Sequence, residues 1–487
     1  MSLNDRPSQP SHREVARRLV VHMTARRPDL LAHDGIDLGP TIEQVLFGRL
    51  RRPRRDPPMA GARSVLRAIY HGARALLPSE RPDPGDVVAL VVNPAQAQIL
   101  GPVRQALAER GVRTFTVYES HARAGGGAVA RSSRLVDQLG PLRAVRLLGF
   151  ELRARRSLAA ATDGFEEIVD GPTAARMRSA VAEAIGRAAL YATCTAAVAA
   201  ARPSLLVGFN EIGRWSRILP AVGRHAGIPT LDVAHAEAAD AEAIEGASYD
   251  RYAVFGPRAG RVLEHAGISP TAIVPVGAPR FDALLARHRR PSVPADRRLV
   301  FASQWITGAM TPDVKRRTVE IVMAAAAAAA PCELIIQRHP IERDEIAVQV
   351  ARSATTPGVT VRHGEPRDLY PALDGAWLLA TGWSNTVFEA ALSNVPVLSI
   401  NATDGPPPMP FVEEGIALGA TNGAEAAAAV RSLLRSNPLW IDAVERARDA
   451  LVDHLGPLDG RATERVVQLV MDMRLGMGGS MPKPDEG

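Results

Sequence analysis

Two clusters of polar residues in the second half of the chain carry side chains of the kind that bind phosphate. Arg338-His339 follow the short apolar run 334–336, and Ser384-Asn385-Thr386 follow the run 377–380 and a turn. Arginine and protonated histidine donate charge-assisted hydrogen bonds to phosphate oxygens. The second cluster opens a predicted helix, whose free backbone N–H groups and dipole favour an anion. Together the clusters predict a pocket for a nucleotide monophosphate or diphosphate.

Each of these residues also has a simpler explanation. His339 could pack or cap beside Pro340, and Arg338 could be an ordinary charge at the end of a strand. Serine, asparagine and threonine are preferred helix caps, so residues 384–386 could do no more than begin the helix. Glu389 could accept hydrogen bonds from ribose hydroxyls, or it could be a surface glutamate that the helix dipole favours. The sequence leaves both sets of roles open.

His235, in the first half of the chain, is the candidate general base. It follows the predicted strand 230–233. Transfer of a group to a hydroxyl needs a proton acceptor whose pKa lies near the working pH, and imidazole meets that need. Glu211 and Asp232 are the alternative bases. The alternative is that His235 has a structural role only, as a hydrogen-bonded histidine at the end of a strand.

Short apolar runs are the elements that must position these residues. The runs alternate with helical segments, which is typical of buried parallel strands and their crossovers. Ligands on such sheets bind outside the carboxyl ends of the strands, where His235 and both clusters fall. A polar, proline-bearing segment, 288–297, separates two such alternations, so the predicted fold class is α/β with two Rossmann-like domains. The predicted divisions are a helical N-terminal extension at 1–80, an N-terminal Rossmann-like domain at 81–290, a C-terminal Rossmann-like nucleotide-binding domain at 291–436, helices at 437–476 and a disordered tail at 477–487.

Composition narrows the class of protein. Aromatic residues make up only 4% of the 487 residues, which argues against a stacking platform for single-stranded nucleic acid. The net charge of +6 comes from arginines spread through alanine-rich segments, so we predict no nucleic-acid partner. The two cysteines, Cys194 and Cys332, suit a reducing compartment. No apolar run approaches the roughly 18 residues of a membrane span, and no secretory signal is evident, so we predict a cytoplasmic protein.

The basic run Arg51–Arg55 has two interpretations. Most charge runs are solvated loops. The alternative is contact with an anionic membrane, because a basic residue near such a surface gains about 1 kcal/mol. In that case the protein would be peripheral to the inner face of the membrane.

Four motifs in this order resemble those of the GT-B glycosyltransferases, and among them the branch of CDP-glycerol glycerophosphotransferases, bacterial polysialyltransferases and capsule-polysaccharide transferases. The motifs are His235, which is followed by Ala236 where those proteins have glycine, the element from Gly277 to Asp282, Arg338-His339-Pro340, and residues 384–386 with Glu389-Ala390. The resemblance covers roughly residues 200 to 420.

The resemblance implies two Rossmann-like domains that face each other across a cleft, with the acceptor on the N-terminal domain and the nucleotide donor on the C-terminal domain. It implies a transferase that moves a sugar or a polyol phosphate from a nucleotide-sugar or nucleotide-polyol donor to a surface-polysaccharide or glycolipid acceptor. Arg338, His339, Ser384, Asn385, Thr386 and Glu389 would bind the donor, and His235 or Glu211 would be catalytic.

Metal independence is a further expectation, since the chain contains no Asp-x-Asp pair of the kind that commonly holds a divalent metal on the donor diphosphate. Arg338, His339 and the helix start would then stabilise the leaving group as an oxyanion site does. No cofactor is predicted besides the donor substrate. Two alternatives stay open, a non-hydrolysing nucleotide-sugar 2-epimerase and a non-catalytic nucleotide-binding protein of the same fold.

Overall fold

The computed structural model describes residues 10–51, 79–92, 96, 100–119, 131–209, 213, 216–237, 240–286, 290–307, 309–354, 356–364 and 369–476. The chain divides into two compact units. Unit 1 comprises Met1–Arg280 with Ala462–Gly487, and unit 2 comprises Phe281–Arg461. Each unit contains one parallel sheet with helices around it, so the protein has two Rossmann-like domains. Glu211, Arg52–Arg55 and the predicted tail at 477–487 lie outside the described residues.

The sheet of unit 1 has seven parallel strands in the order β5-β4-β3-β6-β7-β8-β9. All four residues of β6 and of β7 are buried, because the parallel sheet is covered on both faces. A separate two-stranded hairpin, β1-β2, precedes it. The strands of this unit are β1 (Ala32–His33), β2 (Ile36–Asp37), β3 (Val87–Val91), β4 (Thr114–Tyr118), β5 (Ser132–Arg134), β6 (Leu205–Gly208), β7 (Thr230–Val233), β8 (Arg251–Val254) and β9 (Ile273–Pro275).

Helices cover both faces of this sheet. They are α1 (His12–Arg26), α2 (Gly39–Arg51), α3 (Gly101–Glu109), α4 (Pro141–Thr162), α5 (Gly171–Ala199), α6 (Ile218–Ala226), α7 (Ala241–Ile244) and α8 (Pro257–His265). The 29-residue α5 is capped by Asp170, whose carboxylate accepts a hydrogen bond from the N–H of Thr173. The buried face of α5 is rich in alanine, which lets neighbouring helices approach closely.

The first two helices, predicted as an N-terminal extension, belong to the core of unit 1. Leu19 on α1 and Leu46 on α2 are fully buried in the same apolar cluster as Val181 of α5. The guanidinium of Arg13, 2% exposed, donates to the carbonyl oxygens of Glu242 and Ala243. Buried charge of this kind is tolerated only when its donors are satisfied. Helices α1 and α2, which form the described part of that segment, are therefore integrated with the sheet domain.

The sheet of unit 2 has six parallel strands in the order β12-β11-β10-β13-β14-β15. Its strands are β10 (Arg298–Ala302), β11 (Cys332–Gln337), β12 (Val359–Gly364), β13 (Leu378–Thr381), β14 (Val397–Ile400) and β15 (Leu418–Ala420). Its helices are α9 (Asp282–Leu285), α10 (Pro312–Ala329), α11 (Ile346–Ser353), α12 (Leu369–Leu373), α13 (Thr386–Leu392), α14 (Gly423–Leu434) and α15 (Asn437–Leu455). The helices pack a second apolar core against the sheet.

The last helix, α16 (Ala462–Arg474), returns to unit 1. Its Val466, Val467 and Val470 share an apolar cluster with Val91 of β3 and Leu205 of β6. The segment 437–476, predicted as one set of C-terminal helices, is therefore divided between the two units. Among the described residues, no helix is both long enough and apolar enough to span a membrane.

Candidate functional site

The strand order of the second sheet reverses beside β10, and this switch point is where ligands bind in open α/β sheets. The chain leaves β10 at Ser303-Gln304-Trp305 and leaves β13 at Gly382-Trp383. The two exits are joined, because Gln304 Oε1 accepts a hydrogen bond from the N–H of Trp383 at 3.2 Å. A Cβ on Gly382 would lie 2.4 Å from the same oxygen. Gly382 therefore allows the close approach of these loops.

His339 lies at the exit of β11 and is held in one orientation. Its Nδ1 accepts a hydrogen bond from the backbone N–H of Ile341 at 3.3 Å. Its ring centroid is 4.3 Å from that of Trp305. Burial lowers the pKa of His339, although the Glu342 carboxylate acts in the opposite direction. The imidazole is therefore neutral near pH 7, and with Nδ1 as acceptor its proton resides on Nε2, which can donate to a ligand.

A buried ion pair supports the turn that carries His339. The Lys315 ammonium lies 2.7 Å from both Oε1 of Glu342 and Oδ1 of Asp344, and the Lys315 and Glu342 side chains are 1% and 0% exposed. Ser303 Oγ donates to Glu342 Oε1 at 3.0 Å. The backbone N–H of His339 donates to Glu342 Oε2 at 3.1 Å. Glu342 therefore connects α10, the exit of β10 and the exit of β11.

The Arg338 guanidinium is directed at the same turn. Its η nitrogens contact Oε1 of Glu345 at 3.0 Å and the carbonyl oxygens of Glu342 and Asp344 at 3.2 and 2.9 Å. Its buried Nε has no partner among the residues that the structure describes. These contacts make Arg338 a residue that orders the turn at 339–345. Its predicted contact with a leaving diphosphate stays a prediction.

Residues 384–386 begin α13, which is only seven residues long. Three backbone N–H groups at this start already have acceptors. The N–H of Thr386 donates to Ser384 Oγ, that of Val387 to the Ser384 carbonyl, and that of Phe388 to the Asn385 carbonyl. Asn385 makes no side-chain capping bond. The start of the helix is thus less open to an anion than the sequence predicts, and the role of these residues in donor binding stays a prediction.

Two polar side-chain groups of α13, the Thr386 hydroxyl and the Glu389 carboxylate, are buried inside unit 2. The hydroxyl of Thr386 is buried and has no hydrogen-bond partner in the described part of the chain. Glu389 is 8% exposed, so it is not the surface glutamate of the simpler explanation. A buried hydroxyl without a hydrogen-bond partner lowers the stability of the protein, and a hydrogen bond to a ligand oxygen could restore that stability.

His235 follows β7 in unit 1, as the sequence predicts. Burial and, to a smaller extent, the positive charge of Arg280 lower the pKa of His235. Its Nδ1 is buried and, within the described ranges, has no hydrogen-bond partner. Two residues further on, the buried Glu237 pairs with Arg258 at 3.2 Å. His235 is thus neutral near pH 7 and able to accept a proton. Asp232, the alternative base, is buried within β7 itself.

Four residues of the site in unit 2 have no place in the sequence prediction: Gln304, Trp305, Lys315 and Glu342. Gln304 and Trp305 are the second and third residues after β10, so their position at a strand exit was an available signal. Lys315 and Glu342 carried no signal, because a lysine and a glutamate 27 residues apart read as surface charges. In the portion of the chain that the structure describes, no three His, Cys, Asp or Glu side chains group as metal ligands would.

Comparisons with known proteins establish the fold. No model of a known protein family matches this chain, and no curated protein sequence matches it. A solved structure of a putative UDP-N-acetylglucosamine 2-epimerase from Listeria monocytogenes is 14% identical, with a TM-score of 0.52 over 82% of this chain and 99% of that one. A second UDP-N-acetylglucosamine 2-epimerase is 12% identical, with a TM-score of 0.51 over 83% and 100% of the two chains. The wall teichoic acid polymerase TagF is 9% identical, with a TM-score of 0.49 over 87% and 100%. This chain therefore has a GT-B-like fold.

Proposed function

We propose that this protein is a glycosyltransferase, or a polyol-phosphate transferase, that takes its group from a nucleotide-activated donor. The observation that carries the proposal is the fixed tautomer of His339. The backbone N–H of Ile341 donates to Nδ1 of His339, so the proton on Nε2 is the one available to a ligand. This donor lies at the exit of β11, one strand away from the switch point of the sheet. A fixed N–H donor beside a partly exposed tryptophan suits a phosphate next to a base or sugar.

On the donor side, Nε2–H of His339 would hold an oxygen of the nucleotide phosphate. The turn at 339–345 is rigid, because Arg338 and Glu342 each bind it through several hydrogen bonds. A preorganised donor stabilises charge that develops on a leaving group without further reorganisation. The hydroxyl of Thr386 and the carboxylate of Glu389 would add polar contacts to the donor. None of these steps requires a metal ion.

On the acceptor side, His235 would act as the general base. Its neutral imidazole would take the proton of the acceptor hydroxyl while the oxygen forms its bond to the sugar carbon or the phosphorus. The bond to the nucleotide would break in the same step, and the electron pair would leave with the nucleotide phosphate. The lowered pKa keeps His235 unprotonated at neutral pH. A surface polysaccharide or glycolipid as acceptor is proposed from the four motifs in the sequence.

A nucleotide-sugar 2-epimerase is the second candidate, because the two structures of highest similarity reported above are 2-epimerases. An epimerase has to remove and return a proton on carbon, which calls for acid–base groups beside the sugar. The carboxylates near His339 have other partners: Glu342 and Asp344 bind Lys315, and Glu345 binds Arg338. This supports the transferase. Incubation with a nucleotide sugar and no acceptor separates the two, since only an epimerase would form the 2-epimer.

Binding of UDP, CDP, CMP and GDP by calorimetry tests the proposal. His339→Ala should weaken the binding of the preferred nucleotide by about 1.5–3 kcal/mol, because a hydrogen bond to a charged phosphate is lost. His363→Ala is the matched control, since His363 is an exposed histidine on β12 of the same sheet. Unchanged affinity in a folded His339→Ala protein, or binding of none of the four nucleotides, would contradict the proposed donor site.

A further inference from the structure

Helix α4 presents large apolar side chains to solvent. Leu142 is 81% exposed, Val145 is 70% exposed and Leu152 is 44% exposed. With about 100° between successive residues of a helix, these positions fall within one face. The opposite face packs into the core through residues such as Leu147 and Phe150. The helix is therefore fixed to unit 1 on one side, and no described residue covers its other side.

Arginines share the exposed face of α4. Arg146, Arg153 and Arg156 lie at the same helical angles as the three apolar residues and are themselves exposed. None of the three forms a salt bridge within the described residues, although the charge of Arg153 contributes to lowering the pKa of Asp29. Glu151, the one carboxylate of the helix, is buried on the other side. The face thus combines apolar bulk with net positive charge.

A groove continues this face at the start of the helix. Its volume is about 500 Å³, and its lining includes Leu142, Arg143, Arg146, His225 and Asp34. Two of its lining residues are arginines, and Asp34 is the single carboxylate among the described residues that line it. Arginines beside apolar residues suit a phosphate group that lies at the border between apolar and polar surroundings.

We propose that this face of α4, defined by Leu142, Val145, Arg146, Leu152, Arg153 and Arg156, binds the surface of an anionic membrane. The apolar side chains would enter the boundary between head groups and acyl chains, and the arginines would contact lipid phosphates. Charge complementarity favours a membrane over a second copy of the chain, because two such faces would bring arginines against arginines. Arg51, the one residue of the basic run 51–55 that the structure describes, is ion-paired with Asp240 and is not part of this surface. The proposal does not depend on the proposed transferase activity.

Co-sedimentation of the full chain with lipid vesicles tests this surface. Wild-type protein should bind vesicles of phosphatidylglycerol mixed with phosphatidylcholine and should not bind vesicles of phosphatidylcholine alone. Binding should weaken as ionic strength rises. Since each arginine near an anionic surface strengthens partitioning about fivefold, replacing Arg146, Arg153 and Arg156 by glutamine should lower it about a hundredfold.

Matched variants separate this surface from general effects of charge and hydrophobicity. Arg110, Arg316 and Arg352 are exposed arginines elsewhere, and their replacement by glutamine changes the net charge equally and should preserve vesicle binding. Leu142→Ser with Val145→Ser should abolish binding, whereas Leu439→Ser with Val452→Ser, two exposed sites on α15, should not. Equal binding by the α4 variants and wild type would overturn the proposal. So would the absence of anionic-vesicle binding by wild type, or self-association in sedimentation velocity that the α4 variants lose.

Discussion

Replacing Lys315 by methionine should destabilise unit 2 by about 3–5 kcal/mol, the usual cost of removing one partner from a buried ion pair. The ammonium lies 2.7 Å from each of two carboxylates, and the Glu342 carboxylate has no exposed surface. At an effective dielectric constant of about 20, unit charges this close attract by about 6 kcal/mol. Desolvation offsets much of that attraction in the wild type. In the variant the buried negative charge of Glu342 remains without its cation.

A second substitution distinguishes loss of charge balance from loss of packing. Glu342→Gln in the Lys315→Met background removes the uncompensated charge, whereas Asp344 is 19% exposed and can be hydrated. The double variant should therefore be more stable than Lys315→Met alone and should recover about half of the loss. Arg316→Met is the control, because it removes an exposed charge from the same helix and should change stability by no more than about 0.5 kcal/mol.

Urea unfolding followed by tryptophan fluorescence is the appropriate assay. The chain has five tryptophans, and Trp305, Trp377, Trp383 and Trp440 all lie in unit 2, so the signal reports mainly on that unit. A cost below about 1 kcal/mol for Lys315→Met would refute the idea that the pair is buried and essential. A double variant less stable than the single variant would refute the idea that the unpaired charge of Glu342 causes the loss.

The remaining predictions concern chemistry. His235→Ala should lower kcat by about 10²–10⁴-fold with nucleotide affinity almost unchanged. His235→Gln should not restore kcat, because neither alanine nor glutamine can accept the proton. If His235→Ala instead abolished nucleotide binding, His235 would not be the general base. Since the pKa of His235 is lowered from 6.5, the neutral base persists below that value, and kcat/KM should fall only as pH decreases through the lowered pKa. An acid limb centred above pH 6.5 would argue against His235 as the base. Activity with a matched donor and acceptor should survive EDTA, and a complete loss that magnesium or manganese restores would overturn the metal-independent mechanism.

Much of the fold follows from local sequence. The predicted strand 230–233 has the same bounds in the structure, because a parallel strand that is covered on both faces is mostly apolar, as Leu231 and Val233 are here. Polar residues at the ends of such runs likewise mark the carboxyl edge of a sheet. The edge strand β12 gave no such signal, since its residues alternate in burial and none is fully buried.

The partners of charged residues are what only the tertiary structure decided. The sequence presents Arg338 beside His339 as two phosphate ligands, yet the Arg338 η nitrogens bind the following turn and His339 has a fixed neutral tautomer. Lys315 and Glu342 are buried together, although each residue type is usually exposed. The spacing and length of apolar runs predict which residues are buried and whether they form a strand or a helix, and both can be read from neighbouring residues. The partner of a charged side chain is whichever group the fold brings within about 3 Å of it, and such groups come from distant parts of the chain.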